Sequence, residues 1–227
     1  NKNFKLTRYW DYPKNIDHNI SENEALEEFS NLFEDSVRLR LRSDVSIGIT
    51  LSGGLDSTGI LAAVASQKKE PINCFTSVYE EDSIDEFKWA KNAIDNTNSK
   101  LFPVVAKEDD WLKTLKNIAW HMDAPGYSPA VYPIWNLMKY SRLKGVPVLL
   151  DGQGADESLA GYPHYIINNF IDYLRGKNKK DKGFLSHIIR SVNTFGLGLS
   201  TAWMIREISP MAHSWYRKRN GFQSIML

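Results

Sequence analysis

The chain is poor in the residues that several function classes require. It has one cysteine, Cys74, among 227 residues. A single thiol excludes a disulfide framework and CxxC chemistry. Cys74 lies in an apolar run and reads as a small core residue rather than a nucleophile. Neither sign of charge is in excess, with 28 Lys and Arg against 27 Asp and Glu. That balance argues against a nucleic-acid-coating surface, because binding a phosphate backbone draws on a basic surplus. No apolar run reaches the roughly 18 residues that a membrane-spanning helix needs. The opening Asn1-Lys2-Asn3-Phe4 has neither an initiator methionine nor a signal-peptide pattern, so we expect a piece of a longer chain. The lone thiol is compatible with a cytosolic, reducing compartment, and a cytoplasmic location is expected. His121, His164, His187 and His213 show no metal-ligand spacing with one another or with the cysteine.

What is present is an alternation of helical and strand-like stretches. Residues 1–20 form a polar, extended lead-in containing Trp10 and Pro13. Ser21 followed by Glu24 is a capping box that predicts a helix start. Leu26, Phe29, Phe33, Val37 and Leu41 then recur at steps of three and four and define one apolar face. Val45, Ile47, Ile49 and Leu51 alternate with Ser46, Gly48 and Thr50, as in a central strand covered on both faces. Apolar runs at 72–78, 101–105 and 146–150 predict three more strands, with helices at about 57–67, 84–97, 108–121 and 130–143. The first three strand starts lie less than about 30 residues apart, close to the length of a βαβ unit. The expected fold is a doubly wound α/β domain with a parallel sheet, its ligand at the carboxyl ends of the strands. Trp111, Trp120 and Trp135 fit helical apolar faces and are expected in the core. We assign 21–162 to this domain and expect 163–227 to be a mostly helical, incomplete extension. Within it, 175–182 is basic and free of apolar residues, as in a solvated loop.

One strand-to-helix junction carries chemistry. Leu51-Ser52-Gly53-Gly54-Leu55-Asp56-Ser57 follows the first predicted strand. Two glycines remove Cβ atoms, so phosphate oxygens can approach main-chain N–H groups. Ser52 and Ser57 add hydroxyls, and the following helix turns its positive end toward an anion. Asp56 would repel a bare phosphate, so its presence implies Mg²⁺ between them. The chain lacks G-x-x-x-x-G-K-[ST], so this is not a Walker loop. A glycine-rich turn that binds nothing is the alternative, and the strand–turn–helix context disfavours it.

A second junction follows Val148-Leu149-Leu150, in Asp151-Gly152-Gln153-Gly154-Ala155-Asp156-Glu157, with Gly161-Tyr162 close behind. Parallel topology predicts this turn on the same sheet edge as Ser52. Asp156 could share the metal with Asp56 as charge builds on departing pyrophosphate. An acidic first helical turn would look similar in isolation.

The pair of motifs resembles the synthetase domain of glutamine-dependent asparagine synthetases, whose loop is the S-G-G-x-D-S of the pyrophosphate-releasing ATP enzymes. Tyr9-Trp10-Asp11, Asp85-Glu86-Phe87 with Ala90, and His121-Met122-Asp123-Ala124-Pro125 resemble further patches of that family, over roughly 9–165. The resemblance implies ATP and Mg²⁺ as cofactors. It implies adenine against the main chain near Leu51 and Val78, and pyrophosphate on Ser52, Gly53, Gly54, Asp56 and Ser57, with Gly152 alongside. It further implies Mg²⁺ on Asp56 and Asp156, and an acceptor acid near Gly152, Gln153 and Asp156. The activity implied is adenylation of a carboxylate such as aspartate, followed by attack of ammonia from a glutaminase domain of the same longer chain. Residues 1–20 would be the linker from that domain. The family's catalytic lysine is expected beyond Leu227. Gln153 stands where the family has Glu, and Asp151 where it has Ser, so an acid other than aspartate is an alternative acceptor. An ATP-binding module without turnover is the other alternative, and a tRNA-thiolating enzyme is disfavoured by the lack of paired cysteines.

Overall fold

The computed structural model describes residues 5–13, 19–79, 85–95, 97–105, 111–125, 128, 130–162, 165, 168–169 and 189. The stretch at 175–182 lies outside these, as does nearly all of the expected extension over 163–227. The chain divides into two compact units, Asn1–Asp151 and Gly152–Leu227.

The first unit opens with α1 (Glu22–Arg40). Its capping box forms as the sequence predicts: Glu24 N–H donates to Ser21 Oγ at 3.3 Å, and Ser21 N–H donates to Glu24 Oε2 at 2.9 Å. Arg38 and Arg40 occupy its last turn, where cations suit the helix dipole. The apolar face is buried only in its second half. Val37 is buried and Phe33 and Leu41 pack on the core, whereas Leu26 and Phe29 stay largely exposed. Contact with α2 (Leu55–Gln67) runs through that second half, where Gln67 Nε2 donates to the Glu34 carbonyl at 2.9 Å.

Four strands form one parallel sheet in the order β3-β2-β1-β4: β1 (Ile47–Thr50), β2 (Asn73–Val78), β3 (Lys100–Val105) and β4 (Val148–Leu150). Three further helices, α3 (Phe87–Ile94), α4 (Trp111–Met122) and α5 (Val131–Leu143), connect them. The second unit contributes α6 (Ala155–Leu159). β1 starts two residues later than the alternation suggests, because Val45 N–H is taken by Ser43 Oγ at 3.2 Å and Val45 is half exposed.

Apolar residues line both sheet faces, as expected for a doubly wound sheet. One cluster joins Val37, Ile49, Leu51, Leu61, Val64, Cys74 and Ala90 from α1, β1, α2, β2 and α3. The other joins Phe75, Val104, Leu137 and Val146, with Phe102, Tyr140 and Leu149 against it. Cys74 and its neighbour Phe75 point to opposite faces, as strand pleating requires. α4 packs on α5 through Trp111 against Tyr132 and His121 against Trp135, with ring centroids 5.0 Å apart in each pair. Trp120 corrects the expectation for the three tryptophans: it is 75% exposed and stacks edge-on to His121 instead of entering the core.

Candidate functional site

The strand order reverses at β1, which has β2 on one side and β4 on the other. Such a switch point is where open α/β sheets bind ligands, outside the carboxyl ends of the strands. Thr50 Oγ1 donates to the Leu150 carbonyl at 3.2 Å and ties the carboxyl ends of β1 and β4 together. On the other side, Leu51 N–H donates to the Phe75 carbonyl at 2.8 Å. The chain leaving β1 is thereby anchored to both neighbouring strands before it turns.

The turn itself is Ser52-Gly53-Gly54. Gly53 has a φ of 82°, in the left-handed region, and a Cβ there would strike the backbone of Trp89 and Ala90 in α3. Gly54 has ordinary extended geometry and serves as the N-cap of α2. Being glycine, it offers no side-chain oxygen, so the first-turn N–H groups of α2 have no side-chain cap. α2 begins at Leu55, two residues before the sequence suggests, so Asp56 and Ser57 lie inside its first turn.

Hydrogen bonds within the loop hold it in shape. Ser52 N–H donates to Ser57 Oγ at 3.2 Å, the two hydroxyl oxygens lie 3.0 Å apart, and Gly54 N–H donates to Ser52 Oγ at 3.1 Å. Ser57 is buried, while Ser52, Gly53 and Asp56 are half-buried and Gly54 is open. The result is a turn of glycine backbone, two paired hydroxyls and a positive helix end, with one carboxylate beside them. This is a donor set suited to an anion of the size of a phosphate.

The remaining predicted positions fall as follows. Leu51 is fully buried by its side chain, so only its main chain could meet a ligand. Val78 ends β2, half-buried and paired with Val105. Just beyond it, Tyr79 N–H donates to Asp85 Oδ1 at 3.2 Å, which closes the connection leading to α3. Sequence reading by itself assigned no role to Thr50 or Trp89. The β-branched polar residue at the end of a buried strand was the available signal for the first.

In the second unit, Gly154 caps α6 with a φ of 97°. Gly152 and Asp156 are half-buried and Gln153 is exposed. A Cβ on Gly161 would collide with the Asp156 carboxylate, so the glycine makes room for that side chain. Tyr162 Oη donates to Glu157 Oε1 at 2.7 Å. This bond holds the Glu157 carboxyl below its usual range and pushes the exposed Tyr162 hydroxyl up to about 12.

No group of three or more His, Cys, Asp or Glu close enough to hold a metal occurs among the described residues. Mg²⁺ needs no such group, since it binds through one or two carboxylates and completes its shell with water and substrate phosphate. Asp56, at the mouth of the phosphate-suited loop, has the hard oxygen donor required. No helix among the described residues is long and apolar enough to cross a membrane.

Comparison with known proteins identifies the family. The family model "Asparagine synthase" matches residues 28–200. An asparagine synthetase (glutamine-hydrolyzing) 1 of Bacillus subtilis is 33% identical over 144 residues, covering 63% of this chain and 22% of that protein. The amidase chyE of Penicillium rubens is 29% identical over 171 residues, covering 68% of this chain and 25% of that protein. The chain thus spans about a quarter of the length of these relatives. A solved NH3-dependent NAD synthetase from Campylobacter jejuni aligns over 92% of this chain and 100% of that chain at 11% identity with a TM-score of 0.37.

Proposed function

The chain belongs to the asparagine synthase family, and from that premise we propose that it is the ATP-using part of an amide-forming synthetase. The observation that carries this reading is the loop from Ser52 to Ser57. Its left-handed Gly53, paired serine hydroxyls and uncapped α2 N-terminus favour a polyphosphate. In the proposed reaction a carboxylate oxygen attacks the α-phosphorus of ATP, and the bond to the bridging oxygen breaks to release pyrophosphate. Ammonia then attacks the acyl carbon of the adenylate, and AMP leaves as the amide forms. Ser52, Gly53, Gly54 and Ser57 would receive the departing pyrophosphate, and Gly152 is proposed as a further nucleotide-binding residue. The main chain near Leu51 and Val78 would meet the adenine.

Mg²⁺, when bound, would supply charge neutralisation, and Asp56 and Asp156 are the residues proposed to hold it. Gly152, Gln153 and Asp156 are proposed to meet the acceptor acid. The asparagine synthetases among the relatives support a carboxylate acceptor as a class, of which aspartate is one member. Ammonia is proposed to come from glutamine, by analogy with the glutamine-hydrolyzing relatives.

The test is incubation of the full-length protein that contains this chain with Mg·ATP, ammonia and a panel of carboxylic acids that includes aspartate, with the nucleotide products resolved. AMP and pyrophosphate formed in step with one of the acids are expected. Formation of ADP and phosphate, or failure to bind Mg·ATP, overturns the reading.

A further inference from the structure

The close approach of α3 to the loop places Trp89 beside it. Gly53 abuts the Cβ and carbonyl carbon of Trp89, and Ala90 next to it is fully buried, so this end of α3 is fixed against the turn. Trp89 nevertheless leaves 60% of its surface exposed. Its neighbour on the ring is the Lys88 ammonium, 5.8 Å from the centroid. An exposed cation–π contact of this kind is weak, and a flexible lysine stem is easily displaced.

The loop offers hydroxyls, N–H groups and a helix dipole, all suited to phosphate, and no aromatic surface. Leu51 N–H is already donated to the Phe75 carbonyl, so it is not available as a donor to a base at the end of β1. The Leu51 side chain is in the core. A purine held at the carboxyl ends of β1 and β2 therefore needs an additional partner. Every nucleobase has a π-face, and an exposed indole is the side chain best suited to cover it.

We propose that Trp89 is the stacking platform for the base of the bound nucleotide, and so a residue that makes the site prefer a nucleotide to a bare polyphosphate. This rests on the nucleotide reading given above. The division of labour is then clear: the Ser52–Ser57 turn takes the phosphates, and α3 takes the base with the residue next to the one that braces the turn.

The experiment is calorimetric titration of the parent chain, Trp89→Ala and Trp89→Phe with Mg·ATP and, separately, with Mg·tripolyphosphate. Trp89→Ala is expected to weaken Mg·ATP about tenfold. Trp89→Phe should stay close to the parent, and tripolyphosphate should bind all three alike. Equal Mg·ATP affinity in Trp89→Ala and the parent would overturn the proposal. Equal losses for both ligands would overturn it too, by making Trp89 a mere brace for the loop. Binding of neither ligand by the parent would overturn the nucleotide reading itself.

Discussion

Gly53 and Ala90 lie so close that a single added methyl group on the glycine would occupy the space of the alanine's backbone nitrogen. The turn and α3 are therefore packed backbone to backbone, and the left-handed φ of 82° adds a second reason for glycine. Gly53→Ala should cost both the strain of that conformation, about 1–2 kcal/mol, and an overpacking term of about 1–3 kcal/mol. Gly145 is the natural control. It has a φ of 75° but open space around it, so Gly145→Ala should cost only the conformational part. Denaturant unfolding of the two variants should separate the terms, and equal losses would mean that α3 yields freely.

A comparable constraint sits in the sheet. A Cβ on Gly48 would lie 2.7 Å from the Asn73 carbonyl oxygen and 3.0 Å from both the Phe75 ring and the Leu149 side chain. All three neighbours belong to strands fixed on either side, so none can retreat cheaply. Gly48→Ala should lower stability by about 1–3 kcal/mol, whereas alanine at an ordinary strand glycine would be neutral or favourable. An unchanged unfolding midpoint would show that the Phe75 ring moves aside.

The alternation around Gly48 shows what was legible and why. Ile47, Ile49 and Leu51 announce a central strand because pleating sends alternate residues to opposite faces, and the structure has that strand between β2 and β4. The loop could be read for a similar local reason: Gly53, Ser52 and Ser57 lie within six residues, and their contacts are made among themselves. Long-range contacts left no such mark. Nothing near Gly53 in sequence says that Trp89 and Ala90 brace it, and nothing near Thr50 says that it reaches the Leu150 carbonyl. Trp120 misled because helical periodicity gives a face but not its partner, and the ring lies largely exposed on α4. The exposed half of α1, with Leu26 and Phe29, misled in the same way.

Cys74 gives a prediction about pH. It is fully buried on β2 in the core cluster with Ile49, Leu61 and Val64, and burial pushes its thiol from an ordinary value near 9 up to about 12. A thiol raised in the folded state keeps its proton where the unfolded chain has lost it. Below about pH 9 both states are protonated and the group is silent. Above that, the unfolded chain binds fewer protons, so stability should fall as pH rises toward 12. Cys74→Ala should remove this part of the alkaline decline. The native thiol should also resist alkylation at pH 8 until the chain unfolds. Rapid labelling of the folded protein would contradict the burial.

Ser57 and Asp56 are neighbours in the first turn of α2, yet the structure gives them opposite expected phenotypes. Ser57 is buried, accepts the Ser52 N–H and lies against the Ser52 hydroxyl. Ser57→Ala would leave that N–H without its partner, a cost of about 1–3 kcal/mol, and would slacken the turn. Stability and Mg·ATP affinity should therefore fall together. Asp56 is half-buried and is proposed to serve the metal, so Asp56→Asn keeps its size and removes only the charge. Its melting temperature should stay close to the parent's while Mg·ATP affinity drops about tenfold or more, as expected when a charge-assisted contact is lost. Titrating Mg²⁺ at fixed ATP adds a readout that a merely structural role would not move: the mutant should need more Mg²⁺ for half-saturation. Equal Mg²⁺ dependence in mutant and parent would remove Asp56 from the metal site and leave it as an acidic residue favouring the helix N-terminus.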